Sequence, residues 1–114
     1  MNTDNHKTPG DLFQALAELL QREPSRTAGL TALYQFEITG RAGGWWYVDI
    51  VNGKASVIEG EAPNPNCTIV MASSDYVDMA TGVLSGHVAF MTGKLMVSGD
   101  TSLAMRAAQI FGRG

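Results

Sequence analysis

A single cysteine, Cys67, is all the thiol chemistry this 114-residue chain carries. An internal disulfide is therefore excluded, and with no partner at CxxC spacing so is a cysteine-based zinc site. Charge is sparse as well: Asp, Glu, Lys and Arg make up 17% of the residues, and eight basic against eleven acidic side chains leave a net charge of −3. The basic residues are scattered along the chain, so it lacks the concentrated positive charge with which proteins displace counterions from nucleic acid or gather at anionic membranes. Long apolar runs are missing too. The longest, such as residues 88–91, fall far short of the roughly 20 needed for a membrane span, so no stable insertion is expected. What is present, 45% apolar residues with a mean hydropathy of −0.01, is the composition of one folded globular domain. The polar N-terminus has neither the basic start nor the apolar centre of a secretory signal, which makes the cytoplasm the expected compartment.

Hydrophobic periodicity divides the chain into elements. Residues 1–8 read as a disordered arm and residues 9–114 as the domain. Thr8-Pro9-Gly10-Asp11 supplies an N-cap, a proline for the first turn and a carboxylate three residues after the cap. The helix that follows places Leu12, Phe13, Leu16, Leu19 and Leu20 at three- and four-residue spacing, and Pro24 ends it. Residues 30–39 alternate Tyr34, Phe36 and Ile38 with Gln35, Glu37 and Thr39, the pattern of a strand with one buried face. Residues 45–51 form a second strand with Trp46 in the core and Trp45 and Tyr47 on the opposite face, and Asn52-Gly53 turns the chain tightly into a third, residues 54–59. Prolines 63 and 65 break the sheet before a fourth strand, residues 67–72. Ser73-Ser74-Asp75 then caps a short helix over residues 76–81 that Gly82 stops, and Ser85 caps another that Gly93 stops. A fifth strand over residues 94–98 and a last helix capped by Asp100 complete an α+β layout with a sheet of five short strands.

The residues able to carry chemistry are few. His6 lies in the N-terminal arm and His87 near the start of a short helix, where a solvated or capping role is the usual one, and no nucleophile sits beside it in sequence. Cys67, among β-branched residues, reads as a core side chain. Glu59 with Glu61, and Asp75 with Asp78, fall at turns or a helix start, where solvation and the helix dipole explain them. The glycines form no phosphate-binding loop, since those after the first strand lead into another strand rather than a helix. Five methionines beyond the first, Met71, Met79, Met91, Met96 and Met105, fit either an irregular core or an adaptable apolar pocket.

The run Phe90-Met91-Thr92-Gly93-Lys94-Leu95-Met96-Val97-Ser98-Gly99-Asp100, followed by a helix ending Ile110-Phe111, resembles the C-terminal signature of the sterol carrier protein 2 domain family. Phe36-Glu37-Ile38-Thr39-Gly40, Trp46-Tyr47-Val48-Asp49 with Asn52-Gly53, and Cys67-Thr68-Ile69-Val70-Met71 are similar to that family's strand segments. The resemblance covers residues 12–111. It implies a mostly antiparallel five-stranded sheet covered by helices, with an apolar tunnel between them that holds fatty acids, fatty acyl-CoA, isoprenoid or sterol-like lipids. It assigns Phe36, Trp46, Met71, Met79, Leu84, Phe90, Met91 and Leu95 to the tunnel wall, with Met105 and Phe111 on the last helix as a mobile lid. Positions 96 and 98, often lysine in animal members, are Met96 and Ser98, which removes charge that would draw the domain to anionic membranes. The ending Gly112-Arg113-Gly114 is no peroxisomal address.

The expected function is therefore non-enzymatic binding or carriage of lipid, with no cofactor, metal or catalytic group. The alternative is an accessory or dimerisation module, its cavity packed shut, serving a lipid or isoprenoid-quinone biosynthetic enzyme. A second copy of the chain or that enzyme is then the partner.

Overall fold

The computed structural model describes residues 8–111, so the expected disorder of the N-terminal arm lies outside the described residues apart from Thr8. Helix α1 spans Pro9–Arg22. Its start is a reciprocal cap: Asp11 N donates to Thr8 Oγ1 at 3.2 Å and Thr8 N to Asp11 Oδ2 at 3.1 Å, which satisfies two backbone donors that a helix end otherwise leaves open. A single 3₁₀ turn, Pro24–Arg26, leads to strands β1 (Ala32–Thr39), β2 (Gly44–Val51), β3 (Lys54–Glu59) and β4 (Cys67–Ala72). Helices α2 (Ser73–Ala80) and α3 (Gly86–Met91), strand β5 (Leu95–Gly99) and helix α4 (Thr101–Phe111) follow.

The sheet runs in the order β3-β2-β1-β4-β5. Three pairings are antiparallel, and the central β1–β4 pairing is parallel. The β2–β3 hairpin turns at Asn52 and Gly53, with φ of +50° and +83°, the left-handed pair that a two-residue turn matched to strand twist requires. Because β4 must return beside β1 rather than beside β3, residues 60–66 cross the face of the sheet opposite α1. Gln35 pins this crossing: its Nε2 donates to the carbonyls of Trp46 and Gly60, and its Oε1 accepts from Ala62 N at 2.6 Å. Alternation alone puts Gln35 on the open face. The structure buries it to 2% exposure, since the crossing segment covers it and offers partners that a buried amide needs.

A second correction concerns α2. The serines expected to cap it form its first turn, and the cap position falls to Ala72, which makes no side-chain cap. Strand β4 runs straight into the helix, so the extended conformation a cap residue needs comes from the strand's own last residue, while Asp75 in the first turn complements the helix dipole. Ser85 does cap α3, accepting from Val88 N at 3.0 Å.

Candidate functional site: an apolar cavity under the last helix

One face of the sheet carries the core. The cross-strand register aligns Trp46, Phe36, Ile69 and Val97 in one row from β2 to β5. What covers that row differs at its two ends. Over β1 and β2, Phe13 of α1 stacks between Trp46 (centroids 4.7 Å apart, planes 12° apart) and Tyr76 (4.6 Å, 8°), with its edge toward Phe36 at 5.2 Å. This end is filled. Over β4 and β5 the cover is α3 and α4, and here the packing leaves an apolar cavity of about 350 Å³.

Phe36, Ile69, Leu95 and Val97 form the sheet side of the cavity, Met79 comes from α2, and Gly86, His87, Phe90 and Met91 from α3. Helix α4 contributes Ala104, Met105, Ala107, Ala108 and Phe111. The alanines at three- and four-residue spacing face the cavity with side chains too short to fill it, which is why space remains where a leucine stripe would have closed the layer. Phe90, Met91 and Met105 are 56%, 69% and 80% exposed and form the cavity's outer rim.

Of the residues that the resemblance assigns to the wall, the structure thus brings together Phe36, Met79, Phe90, Met91, Leu95, Met105 and Phe111. It sets Trp46, Met71 and Leu84 apart from the cavity. Trp46 is shut off by the Phe13 ring stacked on it. Met71, 2% exposed, belongs to the filled core, and Leu84 lies in the α2–α3 connection, its N–H held by the Asp78 carbonyl. The sequence reading missed His87 and the α4 alanines Ala104, Ala107 and Ala108 as cavity residues. Two signals pointed to the cavity: the small Ala104, Ala107 and Ala108 on one face of α4, and the spacing of His87, Phe90 and Met91, which puts them on one face of α3.

The two sides of α4 differ in how firmly they are held. Phe111 sits edge-on to Tyr34 and Phe36 at 5.0 and 5.1 Å, and the neighbouring Ile110 is fully buried. The Tyr34 hydroxyl donates to Leu103 O at 2.7 Å, and Arg26 Nη1 donates to the carbonyls of Ile110 and Gln109 at the helix end. One side of α4 is therefore tied into the core, and Met105 projects from the other. Burial pushes the Tyr34 hydroxyl up to about 12, with a smaller push from Cys67, and burial likewise raises Tyr76 and the Cys67 thiol. A buried thiol held protonated is a packing group rather than a nucleophile. Among the described residues, no group of three His, Cys, Asp or Glu side chains could hold a metal ion, and no helix is long and apolar enough to cross a membrane.

A sheet with one filled half and one half roofed over an apolar cavity defines an α+β domain with an apolar site of small-molecule size. The chain matches the SCP-2 sterol transfer family over residues 13–112 and belongs to it. It is 36% identical over 105 residues to hydroxysteroid dehydrogenase-like protein 2 of Xenopus tropicalis, covering 90% of this chain and 24% of that protein. It is 38% identical over 99 residues to sterol carrier protein 2 of Bos taurus, covering 83% of this chain and 18% of that one. The chain thus spans a quarter or less of these relatives. The solution structure of palmitated SCP2L2 from Aedes aegypti superposes with a TM-score of 0.81 at 20% identity, over 94% of this chain and 96% of that one, a likeness of fold.

Proposed function

We propose that this domain binds a single-chain lipid without chemically changing it, holding the chain in the cavity between β4, β5, α3 and α4. The observation that carries the reading is the cavity itself, whose volume of about 350 Å³ falls in the range of small-molecule sites and whose walls are apolar except at His87. Phe36, Met79, Leu95 and Phe111 contact the alkyl chain in this reading, and Phe90, Met91 and Met105 flank its entry. Methionine suits the role, because an unbranched, polarisable side chain adapts to ligands of different shape. Trp46, Met71 and Leu84 support the scaffold instead.

Each buried methylene contributes up to about 0.8 kcal/mol, about a fourfold gain in affinity. Association costs of roughly 4–15 kcal/mol offset most of the sum, so micromolar binding is expected for a chain that fills the cavity. Titration of C8 to C18 fatty acids and their CoA esters tests this. Affinity rises with length and then levels off where the cavity is full, and the plateau length reports its depth. A domain whose partner is an enzyme, with the cavity closed by its own side chains, would bind none of the series or bind all members alike, and either result overturns the proposal.

A further inference from the structure

We infer that His87 is the head-group contact of the cavity and that the preferred ligand is a free fatty acid, recognised through its carboxylate. The inference rests on the lipid-binding reading and goes further by choosing among lipids. Among the described residues, His87 is the one polar side chain in the lining. It occupies the second position of α3, with Phe90 and Met91 three and four residues on, so the wall of the cavity on this helix begins with an imidazole and continues with apolar side chains. No other described residue hydrogen-bonds to its side chain, and the residue is exposed, which leaves its ring N–H available to a ligand.

In apolar pockets, a small number of placed polar groups fix a ligand's orientation. An imidazole N–H donates to a carboxylate oxygen, and a bond to a charged acceptor is stronger than one to a neutral ester carbonyl. The chain end therefore enters among Phe36, Ile69 and Leu95, and the carboxylate stays at the rim beside His87. Acyl-CoA fits less well, because its phosphates call for lysine or arginine and the described lining residues include neither.

The test compares binding of palmitate, methyl palmitate and hexadecanol to the wild-type domain and to the variants His87→Leu and His87→Gln. Wild type is expected to bind palmitate about 5–10-fold more tightly than methyl palmitate, the effect of one charge-assisted hydrogen bond at a partly solvated site. In His87→Leu that ratio falls to about one, and His87→Gln, which keeps an N–H donor, recovers part of it. A ratio that survives in His87→Leu overturns the inference, as does a wild-type ratio near one. Wild-type protein that binds neither palmitate nor its ester overturns the lipid-binding reading itself, so the two failures are told apart.

Discussion

Replacing Phe111 with alanine separates a lid from a piece of core, because the ring both lines the cavity and packs on the sheet. Its edge-to-face contacts with Tyr34 and Phe36 are each worth about 0.5–1.5 kcal/mol beyond area burial. The ring is only partly buried, so its lost transfer energy adds roughly 1–2 kcal/mol rather than the full amount for a core phenylalanine. Together these give a loss of about 2–5 kcal/mol, which for a domain of this size lowers Tm by roughly 10–30 °C. Thermal unfolding followed by circular dichroism measures it. Palmitate at a hundred times its Kd should return about 2.7 kcal/mol to either protein by mass action. Hydrogen exchange on the wild type adds a second reading: amides near Ile110 should be strongly protected without ligand, since Ile110 is fully buried and Arg26 holds its carbonyl, while residues around Met105 gain protection on binding. A Phe111→Ala protein that melts within a degree or two of wild type would refute this account and leave Phe111 as a loose cover.

Tyr34→Phe removes the hydroxyl that donates to Leu103 O at 2.7 Å and should cost about 0.5–1.5 kcal/mol at pH 7. Burial raises the Tyr34 value from 10.0 to about 12, so its contribution to wild-type stability is whole below pH 10 and is lost as pH rises toward 12. Stability measured across that range should fall less steeply in Tyr34→Phe, and an identical alkaline slope in both proteins would contradict the assignment. Asp100 caps α4 through Ser102 N and Leu103 N, and its carboxyl is held below the usual range first by the Ser102 hydroxyl and then by the Leu103 N–H. Asp100→Ala should therefore lower Tm by a few degrees at pH 7. That difference is present above the ordinary carboxylate value and shrinks as pH falls through the lower folded one. Gly99→Ala should destabilise by more than about 2 kcal/mol in a denaturant melt, because φ there is +101° and a Cβ would run into the Asn66 carbonyl and lie 3.1 Å from Cys67 Cα.

Much of the fold is local and was legible from the sequence. The Thr8–Asp11 cap, the Asn52-Gly53 turn, the Ser85 and Asp100 caps and the alternation of Tyr34, Phe36 and Ile38 all depend on residues within a few positions of one another, and each has the same outcome in the structure. Side-chain oxygens reach backbone N–H groups two or three residues away whatever the rest of the molecule does. The α2 cap escaped for a related reason: a strand that ends where a helix begins supplies the extended cap residue itself, so the serines were free to enter the helix.

The sequence by itself determined which residues are apolar, where elements start and stop, and that no cluster of charge or metal ligands lies along the chain. It could not say that β4 lies parallel to β1, a pairing between residues more than thirty positions apart, nor that the resulting crossing buries Gln35. The cavity belongs to the same class of fact. Phe36 and Trp46 face each other across two strands and look equivalent in sequence, yet one borders open space and the other lies under the Phe13 ring. Only tertiary packing decided this, because a void is the difference between the volume that facing elements enclose and the volume their side chains fill. Three alanines of α4 placed opposite Ile69 and Val97 leave that difference positive, and they leave His87 as the polar group at its edge.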